Sequence, residues 1–428
     1  NRELKPLSYT VKESSENIAS RKELSVEPNA GCPRYVGRII ENVKVAPSPA
    51  WLSKLLHAVG LNCVNNVVDV TNFVLMDVGQ PLHSFDMDRL EGNAVKVRKA
   101  NIGESITTID HTVHELKETD LVICDGNRPA CVAGIMGGVE SEITEETRSV
   151  FLESAYFDPK TIRRQSKRLG LSSDSSYRFE RGIDPFTQAE MNDYACALIQ
   201  EVAGGEILQG RLEYTGDDAK KEPDVLEIRE ERVEKLLGVS IPATKIKEYL
   251  ESIGLKEIAP LRFEIPGFRP DLEREVDLIE EVARLFGFDN IPYDLPSFKM
   301  APNELPADER MNRKIRSTLS AMGVHEGLSL RFTSKALTVA LFGENLENDR
   351  RSRPAALLNP LSEDLGVLPT SLLPNLLKSV ANNEKNRPGS VRLFEVGKGQ
   401  FKTTRESVRD TGFEEVRLLW LDIGNQMR

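Results

Sequence analysis

The run NVVDVTNFVLMDVGQPLHSFDMDRL at 66–90 constrains the fold more than any other stretch of the chain. An apolar segment that alternates with polar residues leads into a turn marked by Gly79 and Pro81, and His83 stands beside that turn. A lone histidine in such a place is ordinarily structural. The run GLSSDSSYRFERGIDP at 170–185 carries the same kind of polar specificity, and together the two point to a site.

At 428 residues the chain is too long for one core, so about two to four domains are expected. Hydrophobic content of 39% and aromatic content of 6% suit globular domains. No apolar run reaches the roughly 18–20 residues that span a bilayer. Asn1–Glu27 is polar and lacks the apolar stretch of a cleavable signal. A start at Asn1 and a stop after the strand-like RLLWLDI read as an excised fragment. The cysteines (Cys32, Cys63, Cys124, Cys131, Cys196) are scattered, odd in number and without a C-x-x-C, which argues against zinc or a disulfide framework and for a reducing cytoplasm. Net charge is −11, so any nucleic-acid contact must come from a local patch. Lys160, Arg163, Arg164, Lys167, Arg168, Arg178 and Arg181 form one, readable as a solvated helix face or as an RNA surface.

Residues 1–30 are charged and show little periodicity, as a linker or the remnant of an upstream domain would. Tyr35–Val45 is β-like. Pro47-Ser48-Pro49 then starts a helix to Val59, with Leu52, Leu55, Leu56 and Val59 facing inward. Short strands follow, two of them at Ala94–Lys99 and Ser105–Ile109. AGIMGG (133–138) offers small residues where backbone can approach a ligand closely. FLESAYF (151–157) is strand-like, and Asp158-Pro159 caps a basic helix that stops at Gly170. Another helix runs from Pro185 to Val202. Residues 224–297 form a separate unit: helices at Arg229–Leu237 and Ala243–Ile253, a strand at Phe263–Ile265, and a helix at Leu272–Phe286. The order is winged-helix-like. A last unit, 302–428, opens with a helix at Arg310–Met322 and contains the strand VRLFEVGKGQF.

The 66–90 and 170–185 runs, with PGFRPDLEREVDLIEEVARLFGFDNIP at 266–292, resemble the β subunit of bacterial phenylalanyl-tRNA synthetase from about Pro33 to Phe401. The resemblance implies an α+β multidomain chain. Its parts would be an editing domain at 31–215, the winged-helix-like module, and a truncated, antiparallel class II synthetase-like domain without working aminoacylation residues. An N-terminal tRNA-binding module and a C-terminal anticodon-binding domain would be missing. It also implies an editing pocket drawn from Asn72, His83, Glu153, Ser173 and Ser175, with Gly134, Gly137 and Gly138 as the wall.

The residue types suit that task. An apolar synthetic pocket rejects an added hydroxyl by only ~10²-fold. A second site with a carboxylate where a phenol lands inverts the test, since tyrosine gains a charge-assisted hydrogen bond and phenylalanine leaves a desolvated acid. Glu153 is the candidate acid. His83 would hold the ester carbonyl or orient water, with hydrolysis relying on positioning and a weak general base. His111 and His114 form an H-x-x-H that reads as a strand turn. Ser173 and Ser175 stand where many family members carry Thr and Ala, which puts selectivity in question.

Asp277, Glu280 and Glu281 share a helix face, and Asp271 lies at the helix start. Four hard oxygen donors suit Mg²⁺, which the resemblance places here, shared with the α subunit. The alternative is an ordinary acidic helix paired with Arg274 and Arg284. The resemblance further implies an (αβ)₂ assembly, contact with tRNA(Phe) through Arg163, Arg164, Lys167 and Arg168, a cytoplasmic location and no membrane. The competing reading is a structural, tRNA-binding subunit with a silent pocket. A free-standing nucleic-acid reader suits the acidic 224–297 unit poorly.

Overall fold

A computed structural model describes residues 6–126, 128–293, 304–386 and 389–401, and the backbone alone of 413–423. The chain is mixed α and β, with several separate sheets, and divides into two compact units at 295/296. The expected ends of the middle and last units, at 297, 302 and 428, lie outside the described residues.

Within the first unit, residues 13–215 hold the strands β1 (Glu13–Asn17), β2 (Glu23–Val26), β3 (Arg34–Glu41), β4 (Leu82–Asp86), β5 (Ala94–Lys99), β6 (Ser105–Thr107) and β7 (Val113–Glu115). They continue as β8 (Leu121–Cys124), β9 (Pro129–Val132), β10 (Met136–Gly137), β11 (Val150–Tyr156), β12 (Glu206–Gln209) and β13 (Leu212–Thr215). The helices are α1 (Ala50–Ala58), α2 (Asn66–Val78), α3 (Pro159–Leu169), α4 (Asp174–Phe179) and α5 (Gln188–Ala203). A central sheet runs β1-β12-β3-β11-β4 with β13 also on β3, and a second runs β10-β9-β8-β5-β2.

Period-two alternation sets the layers. On β11, Phe151 and Ala155 face the second sheet with Tyr35, Ile39, Phe85, Val97 and Ile123. Val150 and Leu152 face the helices with Ile40, Leu56, Val70, Val74 and Ile199. Removing one such aliphatic or aromatic side chain from water is worth roughly 1.5–3 kcal/mol. The central sheet is therefore apolar on both faces.

Three expectations need correction. Residues 13–26 are not a linker: β1 pairs with β12 and β2 with β5, and they read as polar because edge strands leave most side chains in water. The alternating run after Asn66 is helix α2. Its buried Val67, Val70, Val74 and Leu75 obey helical spacing, Asn65 caps the start and Gly79 ends it in the left-handed region. In α1, Leu52 and Leu56 are buried as expected, but Leu55 and Val59 are exposed, because a one-sided contact takes only the i, i+4 pair.

Residues 225–286 hold β14 (Val225–Glu227), α6 (Glu230–Leu237), α7 (Ala243–Ser252), β15 (Lys256–Ala259), β16 (Arg262–Glu264) and α8 (Glu275–Phe286). The antiparallel sheet β14-β16-β15 and the three helices enclose Val233, Ile246, Leu250, Phe263 and Ile279. The second unit contains α9 (Ala307–Ala321), β17 (His325–Glu326), α10 (Lys335–Phe342), α11 (Leu373–Asn386), β18 (Val391–Phe401) and β19 (Phe413–Ile423). In it β18 pairs antiparallel with β19 and parallel with the short β17. Among the described residues no helix is long and apolar enough to cross a membrane.

Candidate functional site

Helix α2 is anchored by its polar residues. Asn65 Oδ1 accepts from the Val67 and Val68 amides. Buried Asn66 donates to the Lys44 and Val202 carbonyls, 3.0 Å each, and accepts from Ala46 N. Buried Asp69 accepts from the Ser48 hydroxyl at 2.6 Å and Val64 N at 2.8 Å. These bonds lock the helix, and its next turn presents Asn72 to a cavity. After Gly79, Gln80 donates to the Ala155 carbonyl and accepts from Gln188, so the chain enters β4 in a single register.

That register sets His83 directly opposite Glu153 across β4 and β11. Gly37 lies opposite Glu153 on its other side, in β3. Because β4 is an edge strand, Leu82, His83 and Ser84 in succession line the same cavity, which takes side chains from both sides of the edge. Its volume is about 420 Å³. Asn72, His83, Gly134, Gly137, Gly138, Glu153, Ser173 and Ser175 all line it.

Glu153 is 4% exposed. Burial pushes its pKa up to about 8, against a small opposing effect from the Tyr35 hydroxyl, 3.4 Å from Oε2. No cation pairs with it among the described residues. The group is accordingly a neutral acid over most of the range below pH 8. His83 is partly buried, edge-on to Phe85 with ring centroids 4.4 Å apart. Burial pushes its pKa down to about 4, leaving a neutral imidazole at neutral pH.

The glycines make this packing possible. A Cβ on Gly137 would stand 2.6 Å from His83 Cε1, and one on Gly138 2.8 Å from the Ala130 carbonyl oxygen. Gly134 has φ +67°, and a Cβ there would press on Phe157, Ile162 and Phe179. Small residues were expected for approach to a ligand; at Gly137 the close neighbour is the histidine itself.

The two serines differ. Ser173 donates to the Ile135 carbonyl at 2.7 Å and accepts from Ser176 N, forming a capping box that ties α4 to the glycine loop. Its hydroxyl is engaged in holding the wall. Ser175 lines the cavity, and no hydrogen bond among the described residues engages its hydroxyl. Sequence reasoning missed Thr71, Ile109, Cys131, Met136 and Phe179 as lining residues. It also missed Tyr35, whose only signal was a hydroxyl on the inward face of an apolar strand.

The basic helix α3 begins at Asp158, whose carboxylate accepts from Thr161 N, and ends at Gly170 with φ +69°, as its sequence predicts. Arg163, Arg164 and Lys167 are exposed, with no ion pair among the described residues. Arg168 instead pairs with buried Asp120. His111 sits at a turn with φ +61°, and His114 lies in β7.

The acidic residues of α8 are not gathered for a metal. Arg269 pairs with Asp271 at 2.7 Å and Glu281 at 3.0 Å, and Glu281 also pairs with Arg284 at 2.5 Å. Asp277 accepts from the Glu273 and Arg274 amides at the helix start, and Glu280 is exposed. Among the described residues no group of three or more metal-binding side chains converges. A guanidinium stands between the two carboxylates that would have to meet, so this arrangement does not fit magnesium.

Three segments match known domain families, and together they define a synthetase chain. Residues 31–204 match the B3/4 domain, 226–288 the tRNA synthetase B5 domain and 291–421 the phenylalanyl tRNA synthetase beta chain CLM domain. The chain belongs to the phenylalanyl-tRNA synthetase beta-chain family. The phenylalanine–tRNA ligase beta subunit of Syntrophotalea carbinolica is 42% identical over 400 residues, 92% of this chain and 49% of that protein. That of Geobacter metallireducens is 40% identical over 391 residues, 90% of this chain and 48% of that one. That of a Bacillus cereus strain is 39% identical over 399 residues, 92% of this chain and 49% of that one. The chain thus spans about half the length of the curated relatives it matches. Among solved structures, an N-terminal fragment of the Pyrococcus horikoshii beta subunit is 16% identical, with a TM-score of 0.32, covering 65% of this chain and 77% of that one.

Proposed function

We propose that the cavity at the edge of β4 is an editing site that hydrolyses tyrosine esterified to tRNA(Phe), carried on the beta subunit of a phenylalanine–tRNA ligase. The observation that carries this reading is Glu153, a buried acid with no cation paired to it among the described residues, opposite His83 in a cavity that also takes in Asn72. The silent-pocket alternative has no comparable observation in its favour.

The chemistry follows from the protonation states. A neutral Glu153 acid both donates and accepts, so it can complete a phenol's hydrogen bonds. A phenyl ring leaves it unpaired, at a cost of about 1–3 kcal/mol, or roughly fivefold to 150-fold in discrimination. Unlike the ionised carboxylate expected from the sequence, a neutral acid discriminates less but avoids burying a charge. Neutral His83 offers a lone pair to water or to a ribose hydroxyl. Water adds to the ester carbonyl carbon, the ribose oxygen leaves and takes a proton, and tyrosine is released. With a pKa near 4, His83 contributes mainly by orientation.

Residues 31–215 would be the editing domain, with exposed Arg163, Arg164 and Lys167 meeting the tRNA backbone. Residues 224–297 would be a winged-helix-like module, and 302–428 a class II-like surface without its own aminoacylation site. A cytoplasmic (αβ)₂ enzyme would bind ATP and phenylalanine on the α subunit. Magnesium is proposed for that assembly alone, since Arg269 must first leave Asp271 and Glu281.

The test is tyrosine release from Tyr-tRNA(Phe) by the full-length beta chain assembled with its α subunit. Glu153→Ala should cut hydrolysis at least about tenfold with aminoacylation intact. Equal hydrolysis in both would remove Glu153 from the site.

A further inference from the structure

Behind Glu153, away from the cavity, stands a second phenol. Tyr35 is fully buried in β3, two residues from Gly37 and on the same face of the sheet as Glu153. Its hydroxyl donates to Glu153 Oε2 at 3.4 Å, the one hydrogen bond that this carboxyl group makes among the described residues. Tyr35 does not line the cavity, whereas Glu153 does. The other carboxyl oxygen, Oε1, has no protein partner among the described residues, yet it is not one of the sealed, unpartnered polar atoms. Glu153 lines the cavity, so Oε1 is the carboxyl oxygen left to meet what enters it.

Resting on the editing reading, we propose that Tyr35 is a positioning residue for Glu153: its hydroxyl holds one carboxyl oxygen inside the fold and so presents the other to the hydroxyl of the tyrosyl side chain in the cavity.

A glutamate has three side-chain torsions, and no cation or backbone N–H among the described residues selects one for Glu153. The Tyr35 bond does. Conversely, a fully buried tyrosine hydroxyl needs a partner, and phenylalanine would fill the same space without that demand. The hydroxyl of Tyr35 is accounted for by Glu153.

The pocket thereby holds its acid between two phenols, one built in and one delivered by the substrate. Around Glu153 stand Tyr35 on β3, Cys32 just before it, His83 on β4 and Cys131 on β9. Burial pushes both thiols and the Tyr35 phenol well above their ordinary values and His83 down to about 4. In this shell Glu153 alone titrates near neutrality. The Tyr35 bond favours its ionised form, so losing the hydroxyl raises its pKa further.

The experiment compares wild type, Tyr35→Phe and Glu153→Gln in the full-length beta chain assembled with its α subunit. Hydrolysis of Tyr-tRNA(Phe) and Phe-tRNA(Phe) is measured across pH 6 to 9.5, less spontaneous ester hydrolysis. Tyr35→Phe should lower the preference for the tyrosyl ester about three- to tenfold, leave the slow phenylalanyl reaction unchanged and move the pH inflection upward. Glu153→Gln should lose both the preference and the inflection. If Tyr35→Phe keeps the wild-type preference and profile while Glu153→Gln loses them, the positioning role is overturned and the editing reading survives. If Glu153→Gln also behaves as wild type, the editing role of Glu153 falls and the Tyr35 proposal with it.

Discussion

Two sets of carboxylates in this chain have opposite environments. Glu153 is buried between two sheets with a phenol on one side and a cavity on the other, and it stays protonated up to about pH 8. Asp271 and Glu281 flank the Arg269 guanidinium near the surface of the 225–286 module. The Arg269 hydrogen bond lowers the pKa of Asp271. For Glu281 burial pulls upward but is outweighed by Arg284 and Arg269, so its pKa is lowered too. The residue types are the same, and the presence of a cation separates them. A paired carboxylate serves as a surface clamp, while an unpaired buried one is free to recognise a neutral hydroxyl.

The largest expected effect comes from disturbing the unpaired side of that contrast. Gly137→Ala drives a methyl into the His83 ring, which already faces Glu153. It should cost about 1–3 kcal/mol of stability by overpacking and reduce tyrosyl ester hydrolysis by more than tenfold. Normal melting and hydrolysis would mean that the wall is not rigid.

Next in size is the pH dependence of stability. Glu153 binds its proton more tightly folded than unfolded, so between its ordinary value of 4.5 and about 8 the folded chain carries the extra proton. Stability from this group therefore falls as pH rises through that window. Denaturant titrations of wild type and Glu153→Gln should diverge there, the variant losing less. Parallel curves would place Glu153 among ordinary ionised carboxylates and erase the contrast.

The smallest effect belongs to the paired side. Arg269→Ala should cost no more than about 1 kcal/mol, because Asp271 is largely exposed and Glu281 keeps Arg284 as a partner. The lowered carboxylate values contribute stability that is present above about pH 4 and lost as pH falls through them. The variant should lose the part that Asp271 contributes and keep the part that Arg284 secures through Glu281. Magnesium added to the isolated wild-type chain should leave its melting temperature unmoved; a clear rise would show that the ion displaces Arg269 without a partner.

Some of this was legible in the residues. The cap at Asp158-Pro159, the stop at Gly170 and the clustering of Asp277, Glu280 and Glu281 on one helix turn rest on bonds spanning a few positions. α2 was misread because alternation over a short apolar run mimics a strand, and its helical state depends on Asn66 and Asp69 reaching loops 20 or so residues away. β1 and β2 were missed because edge strands are mostly solvated. The membership of the cavity came through resemblance: Asn72, His83, Glu153 and Ser175 are too far apart for spacing to join them.

Local sequence thus settled helix caps, turns and the alternation that gives each strand two faces, because those depend on backbone geometry and near neighbours. Which carboxylate loses its water, which guanidinium stands beside it and which phenol holds it depend on segments brought together from across the chain. Desolvation and charge pairing are properties of that assembled surrounding, so the neutral Glu153 and the clamped Asp271 emerge only when the sheets and helices close around them.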